Sequence, residues 1–377
     1  MRIPTILTAI LLFQLRLLAQ APQLTQTIRG KLLDIQTGTP VPGATVFLIP
    51  GEMEKAVQSD LDGTFRFSNL PIGRYEVHVR MLGYQEAVIP NVVTGTGKET
   101  VLEINLTEKV QEIKTVEITA TGRNKTEAIN ELASVSARQF SVEETKRYAG
   151  ALNDPGRMVQ SFAGVTFNAD GNNEIVVRGN SPRGVLWRLE GVEIPNPNHF
   201  SNQGASGGAI SMLSNNMMDN SDFFSGAFPS EYGNAASGVF DMRLRKGNNE
   251  KRESAFQIGV IGTDIALEGP FVKGGKSSYL INYRYSSLAL LQKIGIKIVG
   301  DAIPRFQDLS FNMNFPTEKA GRFTLFGIGG LSAINEKYEG ETVNYKDRFN
   351  TSLGVAGLTH SYIINPKTWV KTTFAAT

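Results

Sequence analysis

The feature that most constrains this chain is an alternation of apolar and polar residues with period two that fills its last third. Successive strand residues point to opposite faces of a sheet, so each segment has one apolar and one polar face. This pattern suits a barrel wall between lipid and a wet interior, although a soluble sandwich alternates too. The clearest apolar series are Phe256, Ile258 and Val260, then Tyr279, Ile281, Tyr283 and Tyr285, then Leu309, Phe311, Met313 and Phe315.

The connections between these segments favour the barrel. Short turns are expected at Val272–Ser277, Pro316–Gly321 and Asn365–Thr368. Long connections are expected near Ser286–Pro304 and Ser332–Arg348. Short turns on one side and long loops on the other are typical of outer-membrane barrels. Residues 250–377 are therefore predicted to form the N-terminal part of an antiparallel transmembrane β-barrel, with about seven strands.

The first 21 residues have the features of a secretory signal peptide. Arg2 provides a positive start, Ile6–Phe13 form a short apolar run, and Ala19-Gln20-Ala21 is a small-x-small cleavage pattern. An N-terminal amphipathic helix is the alternative. Cleavage after Ala21 predicts an exported protein that begins at Pro22.

Composition limits the fold and the partners. The chain contains no cysteine, so no disulfide stabilises it. It has no run of roughly 18 uninterrupted apolar residues, which a membrane-spanning helix would need. A formal net charge of +2 is too balanced to predict nucleic acid as a partner.

Residues 22–107 contain short alternating segments separated by turn residues, which predicts a small β-sandwich. The motifs Pro42-Gly43-Ala44, Asp60-Leu61-Asp62-Gly63-Thr64-Phe65 and Leu70-Pro71-Ile72-Gly73-Arg74-Tyr75 resemble the carboxypeptidase regulatory-like domain. The resemblance implies a seven-stranded transthyretin-like sandwich without peptidase chemistry.

Two motifs in this region have a ligand-binding alternative. Asp60-x-Asp62-Gly63 is half of a calcium loop, but Phe65 and Phe67 follow in strand alternation, which favours a capped hairpin turn. Gly95–Thr100 is similar to a phosphate-binding loop but has Glu99 where a magnesium-binding Ser or Thr belongs. A plain hairpin is predicted there.

Residues 108–126 form a hydrophilic linker that contains one β-branched segment, Thr115-Val116-Glu117-Ile118-Thr119-Ala120. Such a segment suits a strand that adds to the exposed sheet edge of another protein. It resembles the TonB box of TonB-dependent outer-membrane receptors and lies where that family carries it. The resemblance implies that Thr115, Val116, Glu117, Ile118, Thr119 and Ala120 bind TonB.

Residues 127–246 resemble the plug domain of the same family through four motifs in order. These are Asp154–Val165, Glu174–Gly179, Leu189–Ile194 and Asp222–Val239, the last with Glu231-Tyr232-Gly233 inside it. An α+β plug is implied. Glu190 stands where the family has Asp.

Arg178 and Glu190 are the candidate contacts between plug and barrel. An arginine fork binds a carboxylate with two hydrogen bonds, and plug arginines of the family meet carboxylates of the barrel wall. The second such arginine would fall at Ser225, so one partner is lost. A plain surface arginine is the alternative for Arg178. For Phe223 and Tyr232, core packing is expected.

Residues for covalent chemistry are sparse. His78, His199 and His360 fall in three different predicted domains, and no cysteine joins them as a metal ligand. The chain lacks a Gly-x-Ser-x-Gly elbow. We therefore expect no enzyme activity, no cofactor and no metal site.

The combined expectation is a mainly β protein made of a sandwich, a plug and an incomplete barrel. The resemblance implies a TonB-dependent receptor for active nutrient uptake, in the outer membrane of a Gram-negative bacterium, with the sandwich in the periplasm. Its implied partners are TonB, membrane lipid and a surface lipoprotein. A non-transporting adhesion module that binds through the sandwich is the alternative.

Seven strands are too few for a plugged barrel, which has about 22. The chain is therefore expected to be the N-terminal part of a longer receptor. Glycan, siderophore, vitamin and peptide importers share its motifs, so the substrate stays open.

Overall fold

The fold is mainly β in a computed structural model that describes residues 24–35, 37–49, 55–109, 128–130, 133, 136–140, 142–148, 154–167, 173–202, 204, 206–259, 262–287, 304–339, 344–365 and 368–377. The predicted cleavage site at Ala21 and the predicted TonB box, Thr115–Ala120, lie outside these residues. Within them, no helix is long and apolar enough to cross a membrane.

Residues 24–109, here called the sandwich, form two sheets with seven strands. One sheet has the order β4-β1-β7 and the other β3-β2-β5-β6. The strands are β1 (Thr25–Asp34), β2 (Thr45–Ile49), β3 (Lys55–Gln58), β4 (Thr64–Pro71), β5 (Gly73–Arg80), β6 (Ala87–Thr94) and β7 (Thr100–Leu106). Ile28, Leu32, Val46, Phe65 and Val77 are buried between the sheets, as the predicted alternation requires.

Strand β6 did not emerge from the sequence pattern because Pro90 interrupts it, and proline removes a ladder hydrogen bond. The structure accommodates the interruption with an irregularity in the pairing. Val77 is opposite Ile89 and Tyr75 is opposite Val92, while Asn91 has a positive φ of 59°. The extra residue lets the strand continue past the proline.

The Asp60 turn is confirmed as a capped turn. The Asp60 carboxylate accepts hydrogen bonds from the Thr64 backbone N–H at 2.7 Å and from the Thr64 hydroxyl at 2.5 Å. The prediction of a plain hairpin at Gly95–Thr100 was wrong. Strands β6 and β7 belong to different sheets, so this turn crosses the sandwich. Local turn chemistry cannot distinguish the two connections.

The central domain, residues 128–245, is built on a five-stranded sheet with the order β12-β11-β16-β15-β8. Strands β9 and β10 and strands β13 and β14 form two further two-stranded sheets. The strands of the domain are β8 (Ala137–Phe140), β9 (Val165–Phe167), β10 (Ile175–Val177), β11 (Val185–Leu189), β12 (Val192–Ile194), β13 (Asn198–His199), β14 (Ile210–Ser211), β15 (Ser221–Phe224) and β16 (Gly238–Met242). The helices α1 (Val142–Arg147) and α2 (Pro155–Met158) are short, and α2 begins where Asp154 accepts the Gly156 N–H at 2.9 Å.

Aromatic side chains form the centre of this domain. Trp187 stacks on Phe240 with ring centroids 4.9 Å apart, and Phe140 and Phe223 meet Phe240 edge-on. Phe223 and Tyr232 are buried, so core packing is confirmed for both.

The remaining strands form one antiparallel seven-stranded sheet, here called the wall, in sequence order from β17 to β23. They are β17 (Glu253–Ile258), β18 (Gly262–Pro270), β19 (Ser278–Ser286), β20 (Arg305–Pro316), β21 (Arg322–Glu339), β22 (Asn344–Asn365) and β23 (Thr368–Ala376). The strand number and the three short turns agree with prediction.

A long loop at Ser332–Arg348 was wrongly predicted. Strands β21 and β22 continue through this stretch as one hairpin, paired from Arg322–Ser361 to Glu339–Asn344. The polar composition suggested a loop. Backbone pairing needs no continuous apolar face, and cross-strand pairs such as Ile334 with Phe349 support it.

Candidate functional site: the contact between the central domain and the wall

The two faces of the wall have opposite character. Leucine, phenylalanine and isoleucine side chains point away from the central domain, and Phe256 and Phe374 are 65% and 74% exposed. The face towards the central domain carries buried polar residues. On β20 these are Asp308, Ser310, Asn312 and Asn314. The alternation predicted from the sequence is thus confirmed, with its polar side covered by another domain.

Three charged or polar side chains connect the central domain to the wall at one buried point. The Nε2 atom of His199, on β13, lies 2.9 Å from Oδ2 of Asp308 on β20. Arg284 of β19 donates to the same oxygen through Nε at 2.9 Å and Nη2 at 2.8 Å. Arg284 also donates to the backbone carbonyl of Ser211 in the central domain.

Burial decides the protonation of His199 in this cluster. It lowers the pKa of His199, because a charged imidazole is poorly solvated there. A neutral His199 donates Nε2–H to Asp308. Arg284 then balances the charge of the carboxylate, so that the pair Arg284–Asp308 is neutral as a unit. Phe306 lies against both His199 and Arg284, which keeps water away.

A second polar contact lies at the end of the central domain. Arg245 donates to both carboxylate oxygens of Glu268 on β18, at 2.7 and 2.9 Å. The backbone N–H of Asn248 donates to the same carboxylate at 3.0 Å. Glu268 is 1% exposed. A buried carboxylate with a bidentate arginine is a strong, directional contact.

Apolar packing accompanies these polar contacts. Leu280, Phe326, Ile328 and Val355 of the wall belong to the same apolar cluster as the core of the central domain. Gly330 leaves room for His199 and Met212, since a side-chain carbon at residue 330 would lie 2.4 Å from the His199 ring. The two units therefore share a core.

Arg178 lies in a turn of the central domain with a positive φ of 51°, followed by Gly179 with a φ of 77°. Its Nη2 donates to the Ser136 hydroxyl at 2.9 Å. Ser225, where the second arginine was expected, donates its backbone N–H to the Ser136 carbonyl at 2.8 Å. The two positions thus meet at Ser136. A contact between Arg178 and a barrel carboxylate stays a prediction.

Glu190 also lies in a turn, with a φ of 52°. Its Oε1 accepts the Leu244 backbone N–H at 2.6 Å. Burial raises the pKa of Glu190, and the hydrogen bond from Leu244 and the charge of Lys371 on β23 offset only part of this rise. Glu190 therefore holds the end of the central domain. Its role as a direct contact to the barrel stays a prediction.

The first described residues after the linker are fixed by one buried carboxylate. Asp222 on β15 accepts the backbone N–H of Ile129 at 2.8 Å and of Asn130 at 2.9 Å. Burial raises the pKa of Asp222 to about 6. The start of the central domain is thereby tied to β15, which lies next to the edge strand β8 of its sheet.

Sequence reasoning missed His199, Asp308, Arg284, Arg245 and Glu268. A usable signal was present for the wall residues, because each is a charged residue on the polar side of an alternating strand. His199 gave no such signal, since its partner is 109 residues away. Among the described residues, no group of His, Asp and Glu could hold a metal ion.

Residues 27–107 match the family model of the carboxypeptidase regulatory-like domain, which confirms the resemblance based on its three motifs. No curated protein matches the chain.

Several solved structures are similar to the chain. The siderophore receptor PirA from Pseudomonas aeruginosa is 14% identical with a TM-score of 0.42, over 64% of this chain and 40% of that one. The same identity, coverage and TM-score hold for a mutant of the ferric enterobactin receptor PfeA from Pseudomonas aeruginosa. The outer membrane transporter YddB from Escherichia coli is 11% identical with a TM-score of 0.42, over 64% of this chain and 38% of that one. The chain therefore spans about two fifths of these structures.

Proposed function

We propose that this chain is part of a TonB-dependent outer-membrane receptor that takes up a nutrient, with the central domain as its plug. The observation that carries the proposal is the inverted wall, which exposes apolar side chains on one face and covers its polar face with a folded domain. A sheet of a soluble protein covers its apolar face and exposes its polar face. An extended exposed apolar surface marks a contact with a membrane or a partner.

Aromatic residues support a membrane location for the wall. At the end of the short turns, Phe271 stacks on Phe315 with centroids 5.1 Å apart and meets Tyr279 at 5.3 Å. Phe323 stacks on His360 at 4.4 Å at the same end. Rows of aromatic rings flank the apolar band of membrane barrels at the lipid–water interface. The short turns then face the periplasm, and membrane lipid covers the outer face.

The attachment of the central domain suits a plug that moves. Discrete polar contacts, at His199–Asp308 and Arg245–Glu268, connect it to the wall. Water and neighbouring polar groups can replace these polar contacts when the domain shifts, whereas the apolar residues that the two units share would be exposed by a full separation. The mechanism is mechanical and uses no covalent chemistry or cofactor.

TonB would apply its force to the plug through the linker. Thr115–Ala120 would pair as a strand with TonB of the inner-membrane energy complex. Force on this segment reaches Ile129 and Asn130 next, and Asp222 ties both to β15. Tension would therefore act on β15, next to the edge strand of the plug sheet.

The sandwich, a surface lipoprotein and further barrel strands complete the proposed receptor. The sandwich lies in the periplasm, and a surface lipoprotein assists capture outside. Further strands close the wall, because β17 and β23 lie at the two ends of its sheet and unpaired backbone groups in lipid cost several kcal/mol each. The outer face of the wall would have no use in a soluble adhesion module.

Site-specific crosslinking from Glu117 to TonB in living cells tests this proposal. The double variant Val116→Pro and Ile118→Pro removes two backbone donors and should abolish the crosslink. Thr121→Pro with Arg123→Pro, in the same linker but beyond the strand, is the matched control and should leave it intact. A crosslink that survives at full yield in the first variant would sink the TonB assignment. Growth of a deletion strain on a panel of nutrients then identifies the substrate.

A further inference from the structure

The sandwich touches the rest of the protein through charged residues. Its contact partner is mainly the stretch between the central domain and the wall, residues 246–252, here called the junction segment. Strand β6 also lies beside helix α1. The docking face is the outer side of the β4-β1-β7 sheet together with the turn before β7.

One carboxylate of the wall is shared by all three parts. Lys98 of the sandwich donates to Glu268 at 2.7 Å. Arg245 of the central domain and the backbone of Asn248 bind the same carboxylate. The sandwich therefore adds a cation to the pair that connects the central domain to the wall.

Glu99 of the sandwich supplies a carboxylate to a cation of the junction segment. Lys251 of the junction segment lies 2.5 Å from the Glu99 carboxylate. The backbone N–H of Glu99 donates to the side chain of Glu253 at 2.8 Å. Within the sandwich, Arg29 donates to Glu99 at 3.1 Å. Arg29 also donates to the side chains of Asn248 and Asn249, so the junction segment binds both members of this pair.

Two further pairs extend the contact along the sheet. Arg66 on β4 pairs with Glu250, and Glu103 on β7 pairs with Lys246. Charges of both signs on the sandwich thus meet charges of the opposite sign on the junction segment. This reciprocal arrangement fixes register and orientation.

Apolar packing contributes little to this contact. Among the described residues, the core cluster of the sandwich contains no residue of the central domain or the wall, and the core of those two units contains none of the sandwich. The carboxylates of Glu99 and Glu268 are buried, but their partners Lys251 and Lys98 are partly exposed, and both members of the Arg66–Glu250 pair are exposed. Salt screens the exposed pairs most, and polar contacts of this kind between domains permit relative motion.

We propose that the outer face of the β4-β1-β7 sheet is a salt-sensitive docking surface for the chain's own junction segment, so that the sandwich is a releasable clamp. When it is docked, Lys98 and Glu99 hold the junction segment against Glu268. When it is released, Arg245 keeps its own contact with Glu268 and the junction segment becomes accessible. The inference is independent of the proposed transport function.

Thiol crosslinking of the full chain in cell envelopes tests the clamp, because the natural chain contains no cysteine. Arg66→Cys with Glu250→Cys places thiols on opposite sides of the contact. It also removes the pairs Arg29–Glu250 and Arg66–Glu99, and it leaves Lys98–Glu268, Lys251–Glu99 and Lys246–Glu103 in place. Arg80→Cys with Glu86→Cys is the control, since these residues are 3.0 Å apart inside the sandwich. A short bismaleimide should crosslink both pairs at about 0.1 M salt, where the Debye length is about 10 Å.

At about 1 M salt, where the Debye length falls to about 3 Å, the yield of the 66–250 pair should drop several-fold while the control stays constant. Trypsin cleavage at Lys246 and Lys251 should rise in parallel. An unchanged yield of the 66–250 pair would show a rigid attachment and overturn the clamp. Absence of the crosslink at low salt, with the control reacting, would show that the sandwich does not dock.

A charge reversal gives a second test without high salt. Lys98→Glu places a carboxylate against Glu268 and should release the clamp at about 0.1 M salt, raising cleavage at Lys246. Lys55→Glu on β3, in the other sheet, makes the same change in net charge and should leave cleavage unchanged. Equal cleavage in the two variants would contradict the assignment of Lys98.

Discussion

His199 of the central domain and Asp308 of the wall are joined by a 2.9 Å contact between two side chains that are almost completely buried. Arg284 balances the carboxylate from the neighbouring strand. A cluster of this kind is sensitive to the loss of one member, because the others are left without a partner in a poorly solvated place.

Asp308→Ala should therefore destabilise the protein by about 3–5 kcal/mol, since Arg284 would remain as a buried, unpaired charge. Asp347→Ala, at an exposed position of β22, should cost less than about 0.5 kcal/mol. Denaturant unfolding measures both, followed by the fluorescence of Trp187 in a Trp369→Phe background, because the chain has two tryptophans. Equal stability of the two variants would show that the cluster does not hold the domain.

Glu268→Gln should loosen the end of the central domain. The amide keeps one acceptor oxygen but cannot receive the bidentate arginine pair, so Arg245 and Lys98 lose a charged partner. Faster proteolysis at the junction segment is expected, even at low salt. Glu318→Gln, in an exposed turn, is the control and should behave like the natural protein. Protection equal to that of the control would contradict the role of Glu268.

Stability of the central domain should depend on pH through Asp222. Its folded pKa, about 6, is above the ordinary value of 3.8, so the folded state binds the proton more tightly than the unfolded state. The resulting stabilisation is present below the ordinary pKa and is lost as pH rises through about 6, by at most about 3 kcal/mol. Asp222→Asn should flatten this part of the profile. A slope that persists in the variant would assign it to another group.

The sandwich should fold without the rest of the chain. It has its own core, and its contacts to the other units are polar. Residues 22–107 alone should show one cooperative melting transition, with no shift on adding calcium, because the Asp60 carboxylate is already occupied by Thr64. A melting temperature that rises strongly with calcium would restore Asp60 and Asp62 as metal ligands.

The strands of the wall were predictable because period two is a local property, visible in runs such as Leu309 to Phe315. The positions of the short turns followed from the same pattern. Strand β6 was hidden by Pro90, and the hairpin beyond Ser332 was hidden by its polar composition. In both cases backbone pairing with a neighbouring strand outweighed the local signal.

The site was less accessible to sequence reasoning. Arg178 and Glu190 were singled out by their motifs, and both occupy positive-φ turns beside glycines, which explains the motif glycines at 179 and 191. Their hydrogen-bond partners, Ser136 and Leu244, depend on how distant segments meet. The same applies to the pairing of His199 with Asp308. The alternation of β20 marks Asp308 as a charged residue on the polar face, but it does not identify a partner 109 residues away.

The most direct test of the account is the orientation of the wall in a membrane. Spin labels at Leu267→Cys and Leu309→Cys lie on the outer face, and labels at Ala266→Cys and Ser310→Cys lie on the face covered by the central domain. In lipid vesicles, molecular oxygen dissolved in the bilayer should relax the outer labels strongly, while the inner labels should be shielded from oxygen and from a water-soluble nickel reagent. The claim that this sheet is a membrane wall would be contradicted if the nickel reagent relaxed the outer labels strongly and oxygen relaxed them no more than it relaxes the inner labels.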